Sequence, residues 1–220
     1  MLFLKKEIQS GMTVNHKMKS LDDIANILSE GIKKNKSASL IVCGGNSPIN
    51  TYIKLSKLDI NWRKINIILC DDRDVEITSD LSNERSIFQN LLINKASIAN
   101  YISLRNNPSE VLKYINKFDV SILGYGRDGH FASIFPDYTA HKTFISKEAS
   151  PDILYTDLMG DPLCKRITMN LSMILKCKNI LILDVIERRD VLAEAKKNKK
   201  MPLYYLLNSD HESVDILNSN

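Results

Sequence analysis

The sequence predicts an α/β fold in which helices flank a largely parallel central sheet. Four short apolar or β-branched runs have the composition of strands buried on both faces, and helical stretches separate them. Parallel strands need a crossover connection, which is usually a helix, so this alternation favours parallel pairing. The predicted strands are 39–43 (SLIVC), 65–70 (INIILC), 120–123 (VSIL) and 180–185 (ILILDV).

The helices are predicted from the spacing of apolar residues along the chain. The first is expected where Ile24, Leu28 and Ile32 fall on one helical face. Gly31 and Asn35 stand near the point where this helix could end. The remaining predicted helices are 49–57, 85–92, 111–116 and 187–196.

Length and composition predict a single domain over residues 1–220. The chain has 220 residues, of which 44% are hydrophobic and 25% charged, enough to bury a substantial core. The 30 basic and 26 acidic residues nearly balance, and the lysine run at 196–200 has no interleaved aromatic residues, so we expect no nucleic-acid partner. No apolar run approaches the roughly 20 residues of a membrane-spanning helix, and no signal-peptide pattern opens the sequence. A cytoplasmic enzyme without membrane attachment is therefore expected; the oligomeric state stays open.

The cysteines predict neither a metal site nor a disulfide framework. They are widely spaced, form no CxxC pair and have no histidine at metal-ligand spacing. Buried free thiols in a reducing compartment are the expected state of Cys43, Cys70, Cys164 and Cys177.

Three of the predicted strands are followed by unusual loops. In open α/β sheets, ligands bind beyond the carboxyl ends of the strands, so these loops are candidate sites. The first loop is Gly44, Gly45, Asn46, Ser47 and Pro48. Paired glycines let the backbone turn tightly and approach a ligand, and Asn46 or Ser47 could cap a helix that begins at Pro48. The loop favours phosphate binding by helix amides; the alternative is an ordinary capped strand-to-helix turn.

The second loop follows 65–70 and reads Asp-Asp-Arg, with Ser-Asn-Glu-Arg a short distance on. A carboxylate accepts hydrogen bonds from sugar hydroxyls, and a guanidinium donates a rigid fork to phosphate oxygens. The candidates here are Asp71, Arg73, Asn83 and Arg85. The alternative is a charged surface loop in which Ser82 or Asn83 caps a helix.

The third loop, GYGRDGHFAS at 124–133, has three glycines within six residues. Each glycine costs backbone entropy, so close packing around a ligand is the expected reason, and Gly126 is a candidate substrate-binding residue. The GxGxxG spacing lacks the context of a dinucleotide site. His130 is suited to general-base catalysis, since an ordinary imidazole is largely neutral yet basic near neutral pH, and Asp128 could orient it or bind substrate. A structural histidine is the alternative, and it is the interpretation kept for the other three histidines.

Together these motifs resemble the glucosamine-6-phosphate isomerase/6-phosphogluconolactonase superfamily, and within it the 6-phosphogluconolactonases. The resemblance is carried by GGNSP, by DDR with a following SNxR, by GYGRDGHFASIFP and by Arg166-Ile167-Thr168, and it extends from about Leu21 to the end of the chain. It implies a Rossmann-like layered fold and no metal or organic cofactor. The implied reaction is hydrolysis of 6-phosphoglucono-1,5-lactone in the oxidative pentose phosphate pathway.

The resemblance also implies roles for the matching positions. His130 would deprotonate the water that attacks the lactone carbonyl and could return the proton to the ring oxygen. Asp71, Asn83 and Asp128 would fix hydroxyls or polar neighbours. The groups implied to hold the phosphate and the developing negative charge are 44–47, Arg73, Arg85 and Arg166.

The chain departs from the family pattern in places. The family usually has Ser-Gly-Gly-Ser-Thr-Pro where this chain has Cys43 to Pro48, and Glu where it has Asp72. We expect altered contacts rather than lost function, and the poorly matching stretch 142–165 receives no role.

Three alternatives remain open. A glucosamine-6-phosphate deaminase/isomerase would carry a different loop around its histidine, and a catalytically inactive paralogue would share the atypical Asn46 and Asp72. A sugar-phosphate-sensing module would need a helix-turn-helix segment, for which the roughly 20 residues before the first helix are too few.

Overall fold

A computed structural model describes residues 16–218, and its strands form two sheets. The main sheet has seven parallel strands in the spatial order β1-β10-β9-β6-β2-β3-β5. The smaller sheet is antiparallel, in the order β4-β8-β7. In chain order the strands are β1 (Met18–Lys19), β2 (Ala38–Val42), β3 (Ile65–Leu69), β4 (Asp71–Arg73), β5 (Asn100–Ile102), β6 (Val120–Leu123), β7 (Ile153–Tyr155), β8 (Arg166–Met169), β9 (Asn179–Leu183) and β10 (Val214–Leu217).

Eight α-helices in the described part of the chain connect and cover these strands. They are α1 (Leu21–Asn35), α2 (Ile49–Leu55), α3 (Asn83–Asn90), α4 (Pro108–Leu112), α5 (Lys142–Ile145), α6 (Leu171–Ile174), α7 (Arg189–Ala195) and α8 (Pro202–Leu207). Single 3₁₀ turns lie at Trp62–Lys64, Asn94–Ile98, Pro136–Ala140 and Ile186–Arg188. Within residues 16–218, no helix combines the length and the apolar character needed to cross a membrane.

The central strands are buried on both faces, as their apolar composition predicts. Every residue of β2, β3 and β6 is buried, and Leu40 of β2 pairs with Ile67 on one side and Val120 on the other. The predicted α/β fold with a parallel sheet is confirmed. The four predicted strands match β2, β3, β6 and β9; both ends of β6 agree, and the other strand ends differ by at most two residues.

Helix α1 forms where the spacing of its apolar residues predicts it. Ser20 and Asp23 form a reciprocal capping box at its start, and Ile24 and Leu28 are buried. The helix ends at Asn35 with Gly31 near its end, as predicted, and a Cβ at Gly31 would stand 2.9 Å from the Cβ of Ala38. This glycine therefore serves the close approach of α1 to β2.

The sheet order places a crevice at the carboxyl ends of β2 and β6. From β2 the chain proceeds outward through β3 and β5, and it then returns to build β6, β9 and β10 on the other side. Such a reversal is where open α/β sheets bind ligands. The residues after β2 and β6 meet there, since the Gly124 N–H donates to Cys43 Sγ at 3.1 Å. The chain start, for which no signal peptide is predicted, lies outside the described residues.

Candidate active site

His130 and Asp128 form a hydrogen-bonded pair in the loop after β6. The distance between His130 Nδ1 and Asp128 Oδ1 is 2.6 Å, and the His130 backbone N–H donates to the same oxygen at 3.2 Å. Burial raises the pKa of Asp128, but the hydrogen bonds and charge of His130 outweigh it, and the net pKa is lowered. An ionised carboxylate can only accept, so in the neutral form of the imidazole Nδ1 carries the hydrogen and Nε2 is an acceptor. The imidazole is 32% exposed and can meet a water molecule.

The glycines of this loop make room for the pair. A Cβ at Gly126 would lie 2.2 Å from His130 Cε1 and 2.7 Å from Asp128 Oδ1. Gly129 has a positive φ of 75°, and a Cβ there would lie 2.7 Å from the Cβ of Met201. The GxGxxG spacing thus has a packing explanation that involves no dinucleotide.

Phe135 connects His130 to Arg166. Its ring centroid lies 4.6 Å from that of the imidazole, and the Arg166 guanidinium carbon lies 5.1 Å from the same ring centroid. The last contact has the geometry of a cation–π interaction. The Arg166 guanidinium and the His130 imidazole therefore both contact the Phe135 ring.

Arg73 and Arg166 stand opposite each other in the register of β4 and β8. Burial and the nearby Arg73 charge lower the pKa of Arg166, although a guanidinium stays protonated. Arg73 Nη1 donates to the Leu81 carbonyl at 2.7 Å and Arg166 Nη2 to the Pro162 carbonyl at 3.0 Å. Both Nε atoms are buried without a hydrogen-bond partner in the described residues. Two adjacent, incompletely satisfied cations favour binding of an anion.

The loop after β2 leaves its amides available. Gly45 has a positive φ of 84°, with open space where a Cβ would be. Across the described part of the chain, no protein group accepts from the backbone N–H groups of 44–47. The expectation that Asn46 or Ser47 caps α2 is wrong. Both are exposed, and the cap position is taken by Pro48 in helical geometry, with no side-chain hydrogen bond.

Asn83 and Asp71 hold the loop after β2 in place through packing and hydrogen bonds. The Asn83 carboxamide occupies the space beside Gly44, where a Cβ would lie 1.9 Å from its Cγ, and its Nδ2 donates to the Asp71 carbonyl at 3.0 Å. Asp71 is 5% exposed, and its carboxylate accepts from Ser133 Oγ at 2.6 Å and Cys70 Sγ at 3.2 Å. These contacts tie the loops after β2, β3 and β6 together.

Arg85 lies in a different environment from the other candidates. It forms an ion pair with Asp80 at 3.1 Å and donates to the Thr78 carbonyl. Its backbone N–H is capped by Ser82, which fixes it in the first turn of α3. The structure thus directs its side chain to the 78–80 turn, whereas the other candidates gather at the strand ends.

Comparison with known proteins identifies the family. The profile of the glucosamine-6-phosphate isomerases/6-phosphogluconolactonase family matches residues 15–215. The chain belongs to this family. It is 31% identical over 209 residues to a 6-phosphogluconolactonase of Neisseria meningitidis serogroup A, covering 88% of this chain and 89% of the relative. The resemblance predicted from the sequence is confirmed.

Solved structures of the family show the same fold. A 6-phosphogluconolactonase from Shewanella baltica superposes with a TM-score of 0.80 at 29% identity, covering 94% of this chain and 99% of that one. A monomeric glucosamine-6-phosphate deaminase superposes with a TM-score of 0.67 at 19% identity, covering 91% and 96%. The second likeness shows a shared fold only.

Sequence reasoning missed Phe135, Ser133 and Arg188 in this family member. Arg188, which follows β9, donates through Nη1 to the Tyr125 carbonyl at 2.6 Å, and Tyr125 Oη donates back to the Arg188 carbonyl at 3.1 Å. The rule applied to the other strands, that residues after a strand's carboxyl end face the site, would have found it. The roles of Phe135 and Ser133 depend on tertiary contacts that no local pattern reveals.

The remaining histidines and the cysteines have structural surroundings. His16 and His211 hydrogen-bond to backbone carbonyls, and His141 packs against Tyr138. All four cysteines are free; three are buried as predicted, whereas Cys164 is partly exposed. In residues 16–218, no group of three or more His, Cys, Asp or Glu side chains is placed to hold a metal ion.

Proposed function

We propose that this chain hydrolyses 6-phospho-D-glucono-1,5-lactone to 6-phospho-D-gluconate in the oxidative pentose phosphate pathway, as a single cytoplasmic domain over residues 1–220. Family membership supports the proposal, as does the name 6-phosphogluconolactonase borne by relatives about 30% identical over most of their length. The observation that carries it is the 2.6 Å His130–Asp128 pair, held one aromatic ring from Arg166.

His130 acts as the general base in this proposal. With Nδ1–H donated to Asp128, the unprotonated Nε2 accepts a proton from water as the water oxygen attacks the lactone carbonyl carbon. Asp128 stabilises the imidazolium that forms. When the tetrahedral intermediate collapses, the bond from this carbon to the ring oxygen breaks. The proton held on Nε2 passes to that oxygen. The open-chain acid thus carries the hydroxyl of water on the carbonyl carbon and its proton on the former ring oxygen.

Arg73 and Arg166 hold the phosphate in this proposal. A phosphate dianion placed between the two guanidinium groups would offer acceptors to the buried Nε atoms and relieve the repulsion between the cations. Because Phe135 contacts both Arg166 and His130, the phosphate at Arg166 and the reacting carbonyl at His130 would be separated by this one ring. Binding of the phosphate then orients the carbonyl.

The loop after β2 supplies further donors. The free amides of 44–47 are proposed to donate to the phosphate or to the oxygen on which negative charge develops. Gly126 keeps the pair in place, while Asn83 and Asp71 hold the loop. Arg85, bound to Asp80, would have to leave that ion pair to reach the phosphate.

The test is hydrolysis of freshly generated 6-phosphogluconolactone at near-neutral pH and low temperature, with the spontaneous rate subtracted. Deamination of glucosamine 6-phosphate is measured beside it, because a deaminase shares the fold. We expect acceleration of the first reaction alone. Deamination alone would assign the chain to the deaminases. If a folded protein that binds sugar phosphate accelerates neither reaction, the result would indicate a sensor or an inactive paralogue.

A further inference from the structure

Asp72 lies between two residues of the proposed site, yet the proposed reaction gives it no task. Its side chain is 1% exposed, and both carboxylate oxygens are already hydrogen-bonded within the protein, so neither is available to substrate. Burial raises its pKa, and hydrogen bonds from three backbone N–H groups oppose that rise. A buried carboxylate is costly unless it is well bonded, so its position calls for an explanation.

The carboxylate of Asp72 binds the amino terminus of α3. Oδ1 accepts from the backbone N–H groups of Asn83 at 2.6 Å and Arg73 at 2.7 Å. Oδ2 accepts from the Glu84 N–H at 3.2 Å and Ser82 Oγ at 3.4 Å. The first amides of a helix have no partner within the helix, and its dipole favours an anion there. Asp72 therefore fixes where α3 begins.

Arg105 and Ser103 add further contacts to the carboxylates at the start of α3. Arg105 Nη2 lies 3.9 Å from Asp72 Oδ2 and 3.9 Å from Glu84 Oε2. Ser103 Oγ donates to Glu84 Oε2 at 3.1 Å. The cation offsets the two buried carboxylates and connects them to the chain beyond β5.

The start of α3 determines the position of the Asn83 side chain. This carboxamide packs directly against Gly44, within the space of a missing Cβ, and donates to the Asp71 carbonyl. A small shift of α3 would therefore move Asn83 into or away from the loop that presents the amides of 44–47. The path from Asp72 to that loop consists of two direct contacts.

We propose that Asp72 is a positioning residue, which sets the shape of the loop after β2 by fixing the first turn of α3 and, through it, Asn83. This inference rests on the proposed function, and within it on the amides of 44–47 donating to the phosphate rather than to the oxygen on which negative charge develops. Asp72 has no contact with His130, so its loss should weaken substrate binding more than it slows the chemical step.

The test compares Asp72→Asn with a matched buried carboxylate. Asp119 is 3% exposed and also accepts a backbone N–H, from Ser39 at 2.9 Å, but it lies at the amino end of the sheet. We expect Asp72→Asn to raise KM for the phosphorylated lactone about tenfold with kcat within about threefold, since lost positioning of a binding group affects ground and transition states alike. Asp119→Asn should lower Tm and leave KM unchanged.

A double-mutant cycle with Asn83→Ala tests the path. If Asp72 acts through Asn83, the double variant should raise KM by much less than the product of the single effects. A KM unchanged in Asp72→Asn, a fall in kcat alone, or multiplicative single effects would overturn the proposal. Should Asp72→Asn yield no folded protein, Asp72→Glu replaces it, with a rise in KM of about threefold expected and an unchanged KM contradicting the proposal.

Failure of the proposed function would be visible separately. If the wild-type enzyme does not accelerate lactone hydrolysis, the proposed function fails. The positioning role is then measured as affinity for inorganic phosphate. Weaker binding by the Asp72 variant, with Asp119→Asn equal to wild type, would support it, and equal affinities would contradict it.

Discussion

The two ends of the parallel sheet differ in how far their charged groups are paired within the protein. At the amino end, Asp119 is paired with Lys178 at 2.7 Å and exchanges two hydrogen bonds with Ser39, at 2.9 Å and 3.0 Å. At the carboxyl end, Arg73 and Arg166 face each other with unpartnered Nε atoms. Buried polar groups are normally satisfied, so two adjacent guanidinium groups with unpartnered Nε atoms favour an anionic ligand between them.

A cavity alone does not identify the functional site of this protein. A cavity of about 310 Å³ lies at the amino end, lined by polar residues that include Asn66, Ser39 and Asp119. Their hydrogen bonds are made within the protein, as in the 2.8 Å contact between Asn100 Nδ2 and Asn66 Oδ1. The chemistry lies instead at the strand ends, where the proposed base and the two arginines meet.

The largest expected effect is that of His130→Ala, which removes the proposed base. We expect kcat to fall by on the order of 10² to 10⁴ with little change in Tm. Steady-state lactone hydrolysis measures it. His141→Ala, at an exposed histidine away from the pair, should leave kcat unchanged; an unchanged kcat in His130→Ala would remove that residue from the mechanism.

Arg166→Ala should weaken binding of the phosphorylated lactone. A lost charge-assisted bond costs about 1.5 to 3 kcal/mol, which corresponds to a rise in KM of about 10- to 150-fold. Arg73→Ala is expected to behave similarly. Arg63→Ala, an exposed arginine before β3, is the charge-matched control and should retain KM. Unchanged kinetics in both site variants would exclude these arginines from the phosphate site.

Gly126→Ala should displace His130 without removing it. The added Cβ would lie 2.2 Å from His130 Cε1, so we expect kcat to fall roughly 10- to 100-fold. Gly124→Ala is the matched control in the same loop, because its Cβ would lie at an ordinary 3.4 Å from Cys43 Sγ. Equal activities of the two variants would contradict the packing explanation of the loop.

The smallest effect on activity is expected at the amino end. Asp119→Asn weakens the hydrogen bonds of a buried carboxylate and its pairing with the half-exposed Lys178, and we expect a loss of about 1 to 3 kcal/mol in the free energy of unfolding with kcat and KM near wild type. Urea unfolding and lactone kinetics on the same sample measure both. A marked loss of activity at unchanged stability would break the distinction between the two ends.

The strands that the sequence predicts are those whose burial is visible locally. In β2, β3, β6 and β9 the apolar run itself indicates a central strand. Strands β4 and β8 contain Asp71, Asp72, Arg73 and Arg166, and they form by pairing with each other and, for β8, with β7. The candidate site, like the strands, can be predicted only where a local sequence pattern reveals it. The His130–Asp128 pair follows from a short motif, but the facing of Arg73 and Arg166 depends on antiparallel register between distant segments.

Capping was predicted wrongly for a physical reason. Asn46 and Ser47 have good capping side chains, but Pro48 adopts helical geometry at the cap position itself, and the Asn46 carbonyl accepts from the Ile49 N–H at 3.3 Å. The backbone turn from Asn46 to Ile49 thus overrides the capping preference of these two residue types. Ser82, the cap proposed for α3, does accept from the Arg85 N–H.

The most direct test of the account compares kcat/KM of the wild-type enzyme for 6-phosphogluconolactone and for the same lactone without its phosphate. If the carboxyl end of the sheet holds phosphate between Arg73 and Arg166 while His130 activates water, the phosphorylated lactone should be preferred by at least about 10²-fold. Equal kcat/KM values for the two lactones would contradict the assignment of this site.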